Sequence, residues 1–363
     1  MAPKPLPNIL AIKPYKGGAA TLPGAGPAVK LSSNENPLGC SPAARAAAQA
    51  ALADLALYPD GVHSALRTAI AGRHGVEAER IICGAGSDEV FQFLGRAYLA
   101  PGDNIVQSQY AFLMYKLMAQ ASGAEVRSAP DRNFHADVDA LLALVDARTK
   151  LVFLANPNNP TGTYLPAAEV ARLQRALPRD VLLVLDGAYA EYVDAPDYAC
   201  GLDLARTAEN VLITRTFSKI HGLASLRVGW AYGAPEVIDA LNRVRGPFNV
   251  TGPALAAAAA AVNDAAFPAR SAAFNRAELA RLGEGLRALG YGVIPSVGNF
   301  VLVRFGAPEA ASAADAHLRQ AGLIVRDMAA YGLPETLRIS IGLPEQNDRV
   351  LAALESFSRG HAA

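Results

Sequence analysis

VLLVLDGAYAEY (181–192) and NVLITRTFSKIHGLASLRVGW (210–230) decide the fold. The runs VLLVLD and NVLITRTF are almost wholly apolar or β-branched, as central strands covered on both faces must be. Each ends in polar residues, and the carboxyl edge of an open α/β sheet is where its ligands collect.

Upstream, between about Arg80 and Thr216, the same grammar repeats. RIICGAG is followed by a helix-length stretch from Ser87 to Leu99, NIVQS by another from Ala111 to Ala121, and KLVFLANP comes next. Strands alternating with amphipathic helices predict an α/β fold, a mostly parallel sheet sandwiched by helices.

Downstream of Leu255 an Ala-rich helix gives way to a charged helical stretch, Ala272–Leu289. GYGVIPSVGNFVLVRF (290–305) then alternates like one half-exposed strand. These features predict a large domain over 45–275 and a smaller α+β domain built from 276–363. The first 44 residues, rich in Pro and Gly, would form an arm on that small domain or line the cleft.

Composition excludes several classes. The 363 residues carry 33 Lys plus Arg and 33 Asp plus Glu, so no global field gathers nucleic acid or an anionic membrane. Nowhere do ~18 apolar residues run together, and Met1–Tyr15 has no apolar targeting stretch. A cytoplasmic enzyme of small molecules is expected. Cys40, Cys83 and Cys200 lack the paired spacing of metal or redox sites, so buried free thiols and no metal are expected.

The chemistry begins at Lys219, which directly follows a strand and is the only lysine beyond Lys150 in a region rich in arginine. A Schiff-base lysine must lose its proton, which guanidinium essentially cannot do. Thr216 and Ser218 offer hydroxyls beside it, and Arg227 offers a fork for a phosphate dianion; a capped turn with a surface arginine would read the same. Asp186 ends its strand as a carboxylate that needs a partner. A protonated pyridine nitrogen is such a partner, and Tyr189 could reach the phenolic oxygen of the same ring. The turn in ANPNNPTG presents Asn159 toward the same edge. In GAGSDE, the backbone of Gly86, Ser87 and Asp88 can hold an anion at a helix N-terminus. Glu89 takes the place of the third glycine that a dinucleotide fingerprint would need.

Taken in order, Tyr110, Asn159, Asp186, Tyr189, Ser218, Lys219 and Arg227 behind a phosphate loop resemble the fold type I enzymes of pyridoxal 5′-phosphate (PLP), the aspartate-aminotransferase-like superfamily. That resemblance implies Tyr110 stacked on the PLP ring, with Asn159 and Tyr189 on its phenolic oxygen. It implies Asp186 on the ring nitrogen, and Ser87, Asp88, Thr216, Ser218 and Arg227 on the phosphate. Such enzymes are homodimers with shared active sites, and YPDG resembles the loop that lends a tyrosine, here Tyr58, to the partner's PLP.

PYKGG, LSSNENPLG and YPDG further resemble the histidinol-phosphate aminotransferase branch. It implies amino transfer between L-histidinol phosphate and 2-oxoglutarate, giving imidazole acetol phosphate and L-glutamate. By the same resemblance Arg338 and Arg326 bind substrate anions, and Tyr15 and Asn34 line the substrate end. Strand-borne arginines also often face water, and an N-terminal tyrosine is as often a packing anchor. Three alternatives stay open: an aromatic amino acid aminotransferase, a PLP-dependent decarboxylase of a phosphorylated amino acid, and a PLP-fold binding module without catalysis.

Overall fold

The computed structural model describes residues 3–15, 17–19, 21–22 and 28–361; Lys16 of the PYKGG motif lies outside them. Seven strands form the central sheet. In spatial order they are Ile81–Gly84, Gly229–Gly233, Val211–Thr216, Leu182–Asp186, Thr149–Ala155, Asn104–Ser108 and Glu125–Ala129. All are parallel except Gly229–Gly233, which runs antiparallel to both neighbours. Strands 182–186 and 211–216 are central, and every residue in them is buried. Their apolar runs have that character because helices cover both faces, with separate apolar clusters above and below the sheet.

Register sets the active edge: Asp186 pairs with Ala155 on one side and Thr214 on the other. Turns leaving the C-terminal ends of these parallel strands open into one crevice. Helix Ser87–Tyr98 points its N-terminus there from beside strand Ile81–Gly84.

The remaining strands form a second layer. Arg326–Asp327, Thr336–Ser340, Phe300–Arg304 and Gly292–Ile294 make an antiparallel sheet, backed by helices Ala266–Ala288, Pro308–Gln320 and Pro344–His361. The run 290–305 is thus two strands, not one, and Phe300–Val303 is buried throughout rather than half exposed. The reason is that both faces are covered: Val301 and Val303 pack on the helices, while Phe300 and Leu302 pack toward Tyr189 and Met328. Position 275 lies inside the continuous helix Ala266–Ala288.

The N-terminal arm touches both layers. Asn8 Nδ2 donates to the carbonyls of Gln120 and Ala121 beside the large sheet, at 3.0 and 3.2 Å. Val29–Lys30 pairs with Leu323–Ile324 in the other layer. Of the three free cysteines only Cys83 is buried; Cys40 and Cys200 are partly exposed.

Candidate active site

A cavity of about 250 Å³ lies between the two layers, and Lys219 and Asp186 line it together. Lys219 leaves the end of strand Val211–Thr216, and its Nζ donates to the Ser33 carbonyl at 2.9 Å. The two segments are tied again where Asn36 Nδ2 donates to the Ile220 carbonyl at 2.8 Å. Burial, reinforced by the Arg338 charge, lowers the Lys219 pKa to about 8. An amine in that range gives up its proton near neutral pH, as a nucleophile and proton carrier must.

Asp186 is buried, and burial raises its pKa. Its donors are all neutral: Tyr115 OH at 2.6 Å on Oδ2, and Thr214 Oγ1 and Ala188 N–H, each at 3.2 Å, on Oδ1. A buried carboxylate held only by neutral donors has its charge uncompensated, and a cation in the cavity would supply the balance.

A second set of donors could cradle an anion. The first N–H groups of helix Ser87–Tyr98 have no acceptor within the helix. Gly86 stands at φ +82°, a conformation side chains rarely adopt, and a Cβ there would push on the Arg227 guanidinium. Arg227 Nη1 donates to Ser218 Oγ at 3.0 Å, and Nη2 lies 3.4 Å from Asp88 Oδ2. Thr216 Oγ1 accepts from Ser218 N–H at 3.1 Å, which shapes the turn. Gly229 lets the neighbouring strand pass beneath, since a Cβ there would be 2.3 Å from Ser87 N.

Opposite the cradle stands a pair of arginines. Arg326 and Arg338 are direct partners across two antiparallel strands, and both line the cavity. Arg338 is buried; it donates from Nη1 to Asn159 Oδ1 and from Nη2 to the Ser32 carbonyl at 2.8 Å, while its buried Nε has no partner among the described residues. Arg326 lies over the Tyr15 ring at 5.8 Å. Like charges directly opposite one another repel, and an anion between them would relieve that repulsion. Asn34 Nδ2 donates to Tyr189 OH at 2.8 Å, and burial pushes that phenol up to about 12. Asn34 itself is held at φ +56° by Ser340 Oγ and by Asn299 Nδ2 on its carbonyl.

Ser87, Asp88, Asn159, Asp186, Tyr189, Thr216, Ser218, Lys219, Arg227, Tyr15, Asn34, Arg326 and Arg338 therefore converge on one cavity. Gly86 abuts it through Arg227. Tyr110 is elsewhere: it stacks on Phe134, with centroids 5.8 Å apart, and Phe112, two residues on, lines the cavity instead. The turn after strand Asn104–Ser108 directs its second aromatic inward while the first fills a gap beside Met328 and Leu302. Tyr58 also lies outside the cavity of its own chain; it is 83% exposed and stacks on Phe248 at 4.6 Å. Sequence reasoning missed Phe112, the Ser33 carbonyl, and Tyr115 with Thr214 behind Asp186.

The family model for aminotransferase class I and II matches residues 27–354. The chain belongs to that family. Among its class I and II relatives, the histidinol-phosphate aminotransferase of Maricaulis maris (strain MCS10) is 54% identical over 363 residues, covering 99% of this chain and all of that one. That of Paramagnetospirillum magneticum is 51% identical over 98% of this chain and 99% of its own. The crystal structure of histidinol-phosphate aminotransferase from Sinorhizobium meliloti, in complex with pyridoxal-5′-phosphate, superposes with a TM-score of 0.92 at 29% identity, over 98% of this chain and 97% of that chain. A mutant aspartate aminotransferase from Thermus thermophilus, at 24% identity and a TM-score of 0.84, shares the fold.

Proposed function

We propose that this class I and II aminotransferase is PLP-dependent and transfers the amino group of L-histidinol phosphate to 2-oxoglutarate. The products are imidazole acetol phosphate and L-glutamate, a step of histidine biosynthesis. The observation that carries the reading is the cross-strand pair Arg326–Arg338, facing the same cavity as the lowered-pKa amine of Lys219 and the buried carboxylate of Asp186. Two guanidinium groups suit a dianionic substrate: a phosphomonoester in one half-reaction, a dicarboxylate in the other. The name shared by relatives at 50–54% identity points the same way.

The donor set fits PLP. Asp186 supplies the carboxylate for a protonated ring nitrogen, and Lys219 the amine that holds the cofactor covalently. The N–H groups of Ser87 and Asp88, with Ser218 and Arg227, form a phosphate seat. Tyr189 and Asn159 stand on the phenolic side. Phe112, not Tyr110, is assigned to the ring face. When bound, PLP supplies an electron sink that lets a substrate Cα–H bond break heterolytically.

The protein's own part is protonic and electrostatic. Asp186 keeps a positive charge at the ring nitrogen. Lys219 Nζ, released from its covalent role, accepts the Cα proton and gives it back in the same half-reaction. Arg338 orients the substrate anion, with its guanidinium plane fixed by Asn159 and the Ser32 carbonyl. Tyr15 and Asn34 shape the substrate end.

The enzyme works as a cytoplasmic homodimer with shared sites, its small domain formed by 1–44 and 276–363. The exposed apolar side chains Leu52, Leu55, Leu57, Tyr58, Val62 and Phe248 support docking of a second copy that places Tyr58 on the partner's cofactor phosphate. The test is a half-reaction: L-histidinol phosphate, L-glutamate and L-phenylalanine are added separately to the PLP-loaded protein, and its visible absorption is followed. Fast loss with the first two and slow loss with phenylalanine is expected. Preference for phenylalanine would make it an aromatic aminotransferase, carbon dioxide release without an oxo-acid acceptor a decarboxylase, and no reaction at all a binding module.

A further inference from the structure

Glu89 does not line the cavity that holds Lys219, yet the loop before its own helix and a segment 160 residues away meet on it. Its Oε2 accepts from the backbone N–H of Ala85 at 2.6 Å and from Asn249 Nδ2 at 2.6 Å. Ala85 is the middle of the loop Gly84–Gly86, so a side chain in the first turn of the helix reaches back to fix the loop that opens it. Asn249 lies 160 residues away, in the segment after helix Pro235–Val244. Its amide also donates to the Cys83 carbonyl at 3.3 Å, and its Oδ1 accepts from Arg245 Nη1 at 2.9 Å. The residue before it, Phe248, stands at φ +54° and stacks on Tyr58.

A loop flanked by two glycines has wide conformational freedom unless something outside it sets its path. Here its own internal tie is one short bond, Gly86 N–H to the Gly84 carbonyl at 2.8 Å. Hydrogen bonds to a carboxylate are roughly twice as strong as neutral ones, and both donors converge on one oxygen. Ser87 and Asp88, which line the cavity, follow directly from this loop, so the aim of their N–H groups depends on where Ala85 is held. An anion site loses affinity when its donors are displaced by fractions of an ångström, because the supporting contacts set the geometry.

We infer that Glu89 and Asn249 are positioning residues: the bond between them holds the phosphate-binding loop and ties it to the surface segment of Phe248 and Tyr58, so that PLP retention depends on that bond. This rests on the PLP reading above. It also gives the third position of GAGSDE after Gly86 a use that neither a dinucleotide fingerprint nor a simple N-cap provides.

The experiment measures the PLP dissociation constant by spectral titration of the cofactor-free full-length protein. Melting of the cofactor-free forms reads folding separately. Asn249→Asp sets two carboxylates at hydrogen-bond distance and is expected to weaken PLP binding about tenfold or more, the scale of a lost charge-assisted bond. Glu89→Gln keeps an amide oxygen for both donors but removes the charge that strengthens them, so it is expected to weaken affinity less than Asn249→Asp does. In the double variant Glu89→Gln/Asn249→Asp, the new amide N–H donates to the new carboxylate, so affinity should recover above that of Asn249→Asp, short of wild type because the Cys83 carbonyl still lacks its donor. Asn249→Ala, which adds no charge, should fall between wild type and Asn249→Asp and covers the case in which Asn249→Asp does not fold. PLP affinity unchanged in Asn249→Asp or Asn249→Ala would overturn the inference, and so would a double variant as weak as Asn249→Asp. Failure of the wild type itself to take up PLP would instead overturn the cofactor reading.

Discussion

Tyr115→Phe tests the support of Asp186 without disturbing its surroundings. The Tyr115 ring is fully buried, stacked on Phe153 with centroids 4.5 Å apart and edge-on to Phe91 at 5.1 Å, and phenylalanine preserves both contacts. What is lost is one hydroxyl, 2.6 Å from Asp186 Oδ2. Burial already raises the Asp186 pKa, and this hydroxyl is the foremost opposing influence. A hydrogen bond to a charged group contributes about 1.5–3 kcal/mol. Its removal should therefore raise the Asp186 pKa further. The carboxylate is the working form, so the variant loses activity on the acid side first. The assay is kcat/KM against pH, which reports groups of the free enzyme. The acid limb should move to higher pH, while rates well above that limb stay close to wild type. An acid limb that coincides with the wild type's would refute the argument, because the hydroxyl would then not be sustaining the charge.

Two further substitutions probe the amine and the borrowed tyrosine. Lys219→Met should abolish turnover and yet stabilise the cofactor-free protein at pH 7. With a folded pKa of about 8 against an unfolded value of ~10.4, the native wild type binds fewer protons between those values and gains stability as pH rises through them. The methionine variant lacks that gain, so its advantage, at most about 3 kcal/mol at pH 7, should vanish above pH ~10.4 in urea titrations; an advantage independent of pH would contradict the linkage. Tyr58→Phe should loosen PLP, and mixed dimers of Tyr58→Phe with Lys219→Met should regain wild-type PLP retention and activity at one of their two sites. Absence of complementation would place Tyr58 outside the partner's site.

The residues legible in the sequence share one property: each stands where a pure scaffold would place something else. A lone lysine among arginines, an aspartate closing an apolar strand and a glycine pair before a helix all announce themselves by type and position. Tyr115 does not, because an aromatic in an amphipathic helix is what a core needs, and its partner is 71 residues away. Ser33 acts through its carbonyl, which every residue possesses. Between Tyr110 and Phe112 the choice depends on the path of a turn. Likewise, nothing local in 290–305 tells that both faces of Phe300–Arg304 will be covered.

The same contrast explains how the site is held together. Asn34 and Arg227 adopt positive φ without being glycine, Arg326 faces Arg338, and Lys219 and Asp186 are ionisable groups taken out of water. Each of these is unfavourable alone. They persist because ordinary residues around them hold them in place: Ser340 and Asn299 grip Asn34, the Ser32 and Ser33 carbonyls grip Arg338 and Lys219, and Tyr115 and Thr214 grip Asp186. Residues that break local rules therefore mark the chemistry, and residues that obey them supply its rigidity. It follows that substitutions in the second group should act through the first, altering cofactor affinity or a pKa before they alter the fold, which is the behaviour expected of Tyr115, Glu89 and Asn249 alike.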